Sequence, residues 1–173
     1  MPATAEPPAT VEYVLQDCDA KLVLGDAERL KAVPKSIPTV DFDKDFASFL
    51  DEGPFNAIKM APEEDAMFLY TSGSTGTPKA IVISHRNICH FLRSGNALYG
   101  ISPDDVVFQG ASVAFDLSME EIWTPYLAGA TLFVASPEMM GDAEKLPAIL
   151  TQAGVTVIDT VPTLLGILPV DVP

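Results

Sequence analysis

The stretch from Phe68 to Ser84 constrains this chain more than any other. An apolar run, Phe68-Leu69-Tyr70, enters a segment of hydroxyls and glycines, Thr71-Ser72-Gly73-Ser74-Thr75-Gly76-Thr77. This closes on Pro78-Lys79 and leads straight into a second apolar run, Ala80-Ile81-Val82-Ile83. Apolar runs of this length bounded by turn residues suit buried strands. Gly73 and Gly76 open backbone conformations closed to other residues, so several N–H groups can point into one concavity. Ser72, Ser74, Thr75 and Thr77 add hydroxyl donors, and Lys79 brings a positive charge that can settle on phosphate oxygens. A phosphate-bearing guest fits such a loop. The spacing is not that of a Walker P-loop, which needs Gly directly before Lys where this chain has Pro78. A flexible connector is the plain alternative for this composition, but no spacer separates the loop from either strand-like run.

The string Tyr70-Thr71-Ser72-Gly73-Ser74-Thr75-Gly76-Thr77-Pro78-Lys79, followed by Ser84-His85-Arg86-Asn87, closely resembles the phosphate-loop signature of adenylate-forming enzymes. These are the acyl-CoA synthetases, the luciferases and the adenylation domains of nonribosomal peptide synthetases. By that resemblance Thr71, Ser72, Gly73, Ser74, Thr75, Gly76, Thr77 and Lys79 bind the ATP phosphates.

The net charge is −14, from 24 acidic and 10 basic residues. Nucleic-acid surfaces and faces for anionic membranes need clustered Lys and Arg, so neither partner is expected. A triphosphate site in so acidic a chain must rely on local backbone dipoles, Lys79 and a divalent cation. Hydrophobic residues make up 48% of the 173 positions, enough for a folded domain with a core. Cys18 and Cys89 lack ligand spacing and read as reduced core residues of a cytoplasmic protein. The start of the chain lacks the basic and apolar regions of a signal peptide. The most apolar tract, 154–170, is broken by Asp159, Pro162 and Pro169, which excludes a membrane span.

Taken in order, Thr10 is expected to cap a helix with Val11, Val14, Leu15 and Cys18 inward. Lys21-Leu22-Val23-Leu24 reads as a short strand. Residues 26–65 read as an acidic, Pro-punctuated connector, with a short strand near Thr39–Phe42 and a short helix over Asp45–Leu50. Its acids match no metal-binding spacing. Ser84 is expected to cap a helix to about Leu98 with Ile88, Phe91 and Leu92 inward. His85 sits in its first turn as a surface or capping residue, or less simply as a catalyst, and His90 faces solvent. Val106–Phe108 is a strand, Ala130–Val134 another, and Val155–Thr160 a third. A short helix runs from Pro147 to Ala153 after a polar loop, and Pro162 opens a last helix through Leu168. The alternation of strand and helix patterns predicts an α/β layered domain with a mostly parallel sheet and flanking helices. Residues 1–65 are expected to form an N-terminal helix, strand and connector, and 66–173 a subdomain carrying the motifs.

The second informative stretch begins at Phe115-Asp116-Leu117-Ser118. Ser118 and Glu121 match a capping box, and Met119, Ile122, Trp123, Tyr126 and Leu127 form an apolar stripe expected to face inward. With Ser118 as the cap, Asp116 has no local role, and a carboxylate at the edge of an apolar pocket needs a cationic partner. Phe115-Asp116-Leu117-Ser118 resembles the motif of amino-acid-activating members of the family, in which the Asp binds the substrate's α-amino group. Acyl-CoA synthetases usually lack it. The same resemblance sets Leu117 and Glu120 where the family lines its side-chain pocket. Glu120 is open to two readings, a first-turn acid complementing the helix dipole or a pocket acid selecting a basic side chain.

The resemblance implies part of the large N-terminal domain of an adenylate-forming enzyme, most like the amino-acid adenylation domain of a nonribosomal peptide synthetase. Downstream motifs for adenine, ribose and the catalytic lysine do not occur before Pro173. The chain is therefore expected to be a fragment with no complete catalytic set and no turnover alone. The implied reaction is attack of an amino-acid carboxylate on the α-phosphorus of ATP. Pyrophosphate leaves, and the acyl group then passes to the phosphopantetheine thiol of a partner carrier protein. ATP and Mg²⁺ are the implied cofactors, with no resident metal site in the chain. An acyl-CoA synthetase fragment and a non-catalytic binding module are the alternative readings.

Overall fold

The computed structural model describes residues 7–51, 53–71, 77–166 and 168. They fall into two compact units. One holds the chain up to Ala61 together with Tyr70–Val82, and the other holds Pro62–Leu69 and the chain from Ile83 onward. Strands β3 (Asp65–Thr71) and β4 (Lys79–Ser84) pair with each other, and each runs from one unit into the other.

The N-terminal unit opens on helix α1 (Pro8–Asp17), which starts earlier than expected. Thr10 lies inside it and caps nothing. Proline in the first turn has no N–H to satisfy and already holds a helical φ, so Pro7 and Pro8 set the start instead. Val11, Val14, Leu15 and Cys18 are half-buried on one face, as their spacing predicts. Strand β1 (Val23–Gly25) pairs in parallel with β2 (Thr39–Asp41). Residues 26–65 are thus more than a solvated connector. They supply a 3-10 turn at Arg29–Ala32, strand β2 and helix α2 (Phe46–Phe49). Asp41 is buried and accepts a 3.0 Å bond from the Asp43 N–H, with Lys44 beside it at 3.2 Å.

In the larger unit, helix α3 (His85–Tyr99) begins at Ser84 as expected. The Ser84 hydroxyl accepts from the Asn87 N–H at 3.3 Å, and Asn87 Oδ1 accepts from the Ser84 N–H at 3.2 Å, satisfying two helix-start donors at once. Ile88 and Leu92 are half-buried, but Phe91 is exposed, and so is Cys89, which is not a core residue.

Strand β5 (Val106–Gln109) is the middle of a parallel sheet, flanked by β6 (Thr131–Val134) and β7 (Val157–Ile158). Successive side chains on a strand leave opposite faces. Phe108 packs on one face against Leu146 and Leu150 of helix α6 (Leu146–Ala153), with Phe133, Met140 and Ile158 around them. Gln109 reaches helix α4 (Leu117–Ala128) on the other face. Helices on both faces of a parallel sheet give the expected layered α/β arrangement. Two short helices, α5 (Pro137–Gly141) and α7 (Pro162–Leu165), complete the unit. Helix α5 arises within the expected polar loop, where Ser136 caps it through the Met139 N–H.

Helix α4 is turned against its apolar stripe. Ser118, Glu121, Thr124 and Pro125 are buried, whereas Trp123, Tyr126 and Leu127 are exposed. Hydrogen bonds to the end of β5 and the loop after it determine which face packs. Gly129 ends the helix at φ 76°, as its position after the last turn predicts. Among the described residues no helix is long and apolar enough to cross a membrane.

Phe108 is completely buried beneath α6. Phe108→Ala is expected to destabilise the folded protein by about 3–5 kcal/mol through lost transfer energy and the cavity left behind, read as a lowered urea midpoint at unchanged slope.

Candidate functional site

The start of α4 sets the chemistry of the larger unit. Asp116, not Ser118, is the N-cap residue, and its Oδ1 accepts from the Leu117 N–H at 3.0 Å. Ser118 lies inside the first turn, fully buried, and its hydroxyl donates to the Phe115 carbonyl at 2.7 Å. Glu121 does not complete a capping box. Its carboxylate instead accepts from the Ala111 N–H at 2.9 Å and from Gln109 Nε2 at 3.1 Å. The helix starts two residues earlier than the S-x-x-E pattern implies, so Asp116 has a local role after all. Capping engages one oxygen of a carboxylate that offers about four acceptor sites, which leaves capacity for a cation.

One turn into α4, Glu120 lines a cavity of ≈ 230 Å³. Tyr99 and Ile101 bound it from the end of α3 and the turn after it, Val107 from β5, and Val157, Ile158 and Asp159 from β7 and its exit. Asp159 sits just beyond the carboxyl end of a parallel strand, where open α/β sheets gather ligands. Asp159 Oδ2 is buried with no hydrogen-bond partner.

Burial pushes the Glu120 carboxyl up to about 7, and the Asp159 carboxyl beside it, then the Asp116 charge, push the same way. The Glu120 charge in turn raises the Tyr99 hydroxyl, helped by burial. A desolvated Glu120 carboxyl beside an Asp159 oxygen that lacks a donor, between walls of Ile and Val, is a setting that a cation could neutralise. Among the described residues no group of three or more His, Cys, Asp or Glu side chains is disposed to hold a metal ion. The arrangement suits an organic ammonium. Asp159 is the residue that sequence reasoning missed. The available signal was an acid ending the otherwise apolar run Val155-Thr156-Val157-Ile158.

Of the other sequence-predicted substrate residues, Asp116 is close enough for its charge to act on Glu120, and Leu117 is half-buried at the first position of α4. Of the phosphate-loop residues, Thr71, Thr77 and Lys79 belong to the N-terminal unit. Thr71 ends β3, Thr77 is exposed, and Lys79 opens β4 with its side chain exposed. Ser72, Gly73, Ser74, Thr75 and Gly76 lie outside the described residues. Tyr70, just before the loop, donates its hydroxyl to Asp17 Oδ2 at 2.8 Å, tying the strand to the end of α1.

Glu120 gives stability a definite pH dependence. Its value in the folded protein, about 7, lies above the ordinary 4.5, so folding tightens its hold on the proton. That contribution is complete below pH 4.5 and is lost as pH rises through 7. Glu120→Gln is expected to flatten this part of the stability profile, measured as denaturant midpoints from pH 4 to 8 against the unsubstituted protein.

Comparison with known proteins gives this geometry its context. Residues 3–171 match the model of the family described as AMP-binding enzyme. Over 115 residues, 66% of this chain, it is 55% identical to the delta-poly-L-ornithine synthetase of Acinetobacter baumannii (strain AB307-0294), covering 9% of that protein. Over 157 residues, 91% of this chain, it is 30% identical to tyrocidine synthase 2 of Brevibacillus parabrevis, covering 4% of that protein. The chain thus spans under a tenth of the length of these relatives. Among solved structures, the nonribosomal peptide synthetase FmoA3 superposes with a TM-score of 0.81 at 25% identity, over 95% of this chain and 17% of that one. VinN in complex with L-aspartate gives 0.78 at 29% identity, over 95% and 42%. The β6-β5-β7 sheet and its layered helices are accordingly those of a larger known fold, and the chain belongs to the AMP-binding enzyme family.

Proposed function

We propose that this chain is part of an amino-acid adenylation domain whose substrate carries a second ammonium on an unbranched side chain. The observation that carries the reading is the cavity lined by Glu120 and Asp159, with a buried Asp159 oxygen awaiting a donor. Its ≈ 230 Å³ amounts to roughly seven or eight water volumes at about 30 Å³ each, room for a short aminoalkyl chain. An ammonium there favours the ionised form of Glu120 and supplies the donor that the Asp159 oxygen lacks. Support also comes from the similarity to a delta-poly-L-ornithine synthetase and from an FmoA3 structure with alpha-methyl-L-serine-AMP bound, at 25% identity. Two carboxylates disfavour an acidic side chain such as the aspartate bound by VinN, and equally a fatty-acyl chain.

In this reading Asp116 anchors the α-ammonium and Glu120 with Asp159 holds the distal one. The two contacts fix the substrate so that its carboxylate can meet the α-phosphorus of ATP. Thr71, Ser72, Gly73, Ser74, Thr75, Gly76, Thr77 and Lys79 receive the departing pyrophosphate through backbone N–H groups, hydroxyls and the lysine charge. Mg²⁺ accompanies the nucleotide and neutralises phosphate charge. Transfer of the acyl group to the phosphopantetheine of a carrier protein follows in the complete enzyme, in the cytoplasm.

Pyrophosphate exchange by the full-length enzyme carrying this chain tests the reading. Ornithine, lysine or 2,4-diaminobutyrate is expected to exceed leucine and aspartate by about 100-fold in kcat/KM, the scale of leaving a buried charge unpaired. Asp159→Asn is expected to remove at least about tenfold of that preference. Equal turnover of leucine and lysine would refute the assignment.

A further inference from the structure

Glu121 also borders the cavity that Glu120 and Asp159 line, but its carboxylate is spent on the chain's own donors rather than on helix capping or a guest. It is 1% exposed, and neutral donors satisfy it. The Ala111 N–H lies 2.9 Å from Oε2 and 3.3 Å from Oε1, and Gln109 Nε2 lies 3.1 Å from Oε2. The same Gln109 amide donates to the Ala111 carbonyl at 2.5 Å. Both backbone polar groups of Ala111 are thus held, one by α4 and one by the last residue of β5. Burial raises the Glu121 carboxyl, and the Ala111 and Gln109 bonds oppose that rise.

The neighbouring Gly110 packs so closely on the core that no side chain fits there. A Cβ at Gly110 would sit 2.5 Å from the Phe108 ring and 3.3 Å from Met140 Sδ. Further along, the Phe115 N–H donates to the Ser112 carbonyl at 2.9 Å, and the Ser118 hydroxyl fastens the Phe115 carbonyl at 2.7 Å. The loop between β5 and α4 is pinned at its start and at its end. What it delivers at that end is Asp116.

We propose that Glu121 is a positioning residue that fixes the loop 110–115 and thereby sets Asp116 where it meets the α-ammonium of the substrate. This rests on the reading of Asp116 given under Proposed function. An apolar side chain of similar size could fill the same space in α4, but it would leave the Ala111 N–H buried and unpaired. A loop so released keeps the fold and loses the aim of its carboxylate.

The test is the preference of the full-length enzyme, in kcat/KM for pyrophosphate exchange, for its amino acid over the same acid lacking the α-amine. Asp116→Ala is expected to reduce this preference by about 100-fold, as loss of a charged anchor should. Glu121→Met, which leaves the Ala111 N–H and Gln109 Nε2 without their acceptor, is expected to reduce it at least about tenfold while KM for ATP stays within about twofold. Glu121→Gln, whose amide oxygen can take the place of Oε2 and accept both bonds, is expected to keep most of the preference. If Glu121→Met lowers only thermal stability and keeps the preference, Glu121 is purely structural and the inference is overturned while Asp116 keeps its role. If Asp116→Ala itself keeps the preference, both fall. Should Glu121→Met fail to fold, Gln109→Met removes the shared amide and is judged by the same ratio. Hydrogen exchange of the unsubstituted enzyme gives a further check. The Ala111 amide is expected to exchange as slowly as those of β5, and exchange at the rate of the exposed Ala114 amide would overturn the clamp.

Discussion

Phe108 and Gln109 leave β5 in opposite directions, and the larger unit is built on that alternation. On the Phe108 side the contacts are apolar, made by Leu146 and Leu150 of α6, and any side chain of suitable size and shape could serve. On the Gln109 side the contacts are directional. Gln109, Ala111 and Glu121 satisfy one another through bonds of 2.5 to 3.1 Å, and α4 must take one rotation about its axis for all of them to form. A fully satisfied buried polar network specifies a single arrangement more strictly than apolar packing does.

That rotation explains two features at once. It turns Trp123, Tyr126 and Leu127 to the outside, and it carries Glu120 to the cavity beside Asp159. Only Met119 and Ile122 of the apolar stripe stay half-buried, while the polar side of the helix packs inward. Exposed aromatic and aliphatic side chains on α4 follow from hydrogen bonding on its other face.

The proposed cation site needs no field from the molecule as a whole. The net charge of −14 is screened beyond about a Debye length of ~10 Å at ordinary ionic strength. What counts is that Glu120 and Asp159 share a partly desolvated space in which one oxygen lacks a donor. Burial first, and the Asp159 carboxyl beside it second, push Glu120 up to about 7, a penalty that a proton or an ammonium relieves. A site poised in this way favours a cationic guest over a neutral one of equal size, because only the cation cancels the penalty already present in the fold.

Local patterns in the sequence determined a good deal. Ser84 and Asn87 start α3 because their side chains reach only neighbouring backbone groups, and Gly129 ends α4 because only glycine takes that φ without strain. The apolar run Val106-Val107-Phe108 and its counterparts gave the parallel α/β class, since their period and spacing are intrinsic to the chain. The phosphate-loop string and Phe115-Asp116-Leu117-Ser118 indicated the family for the same reason, being contiguous. Tertiary structure alone decided the rotation of α4, the burial of Glu121, the pairing of β1 with β2 across the acidic stretch, and the meeting of Glu120 with Asp159. Each of these joins residues distant along the chain, and which of two plausible helix faces packs, or which acid finds which, depends on partners that no local window contains.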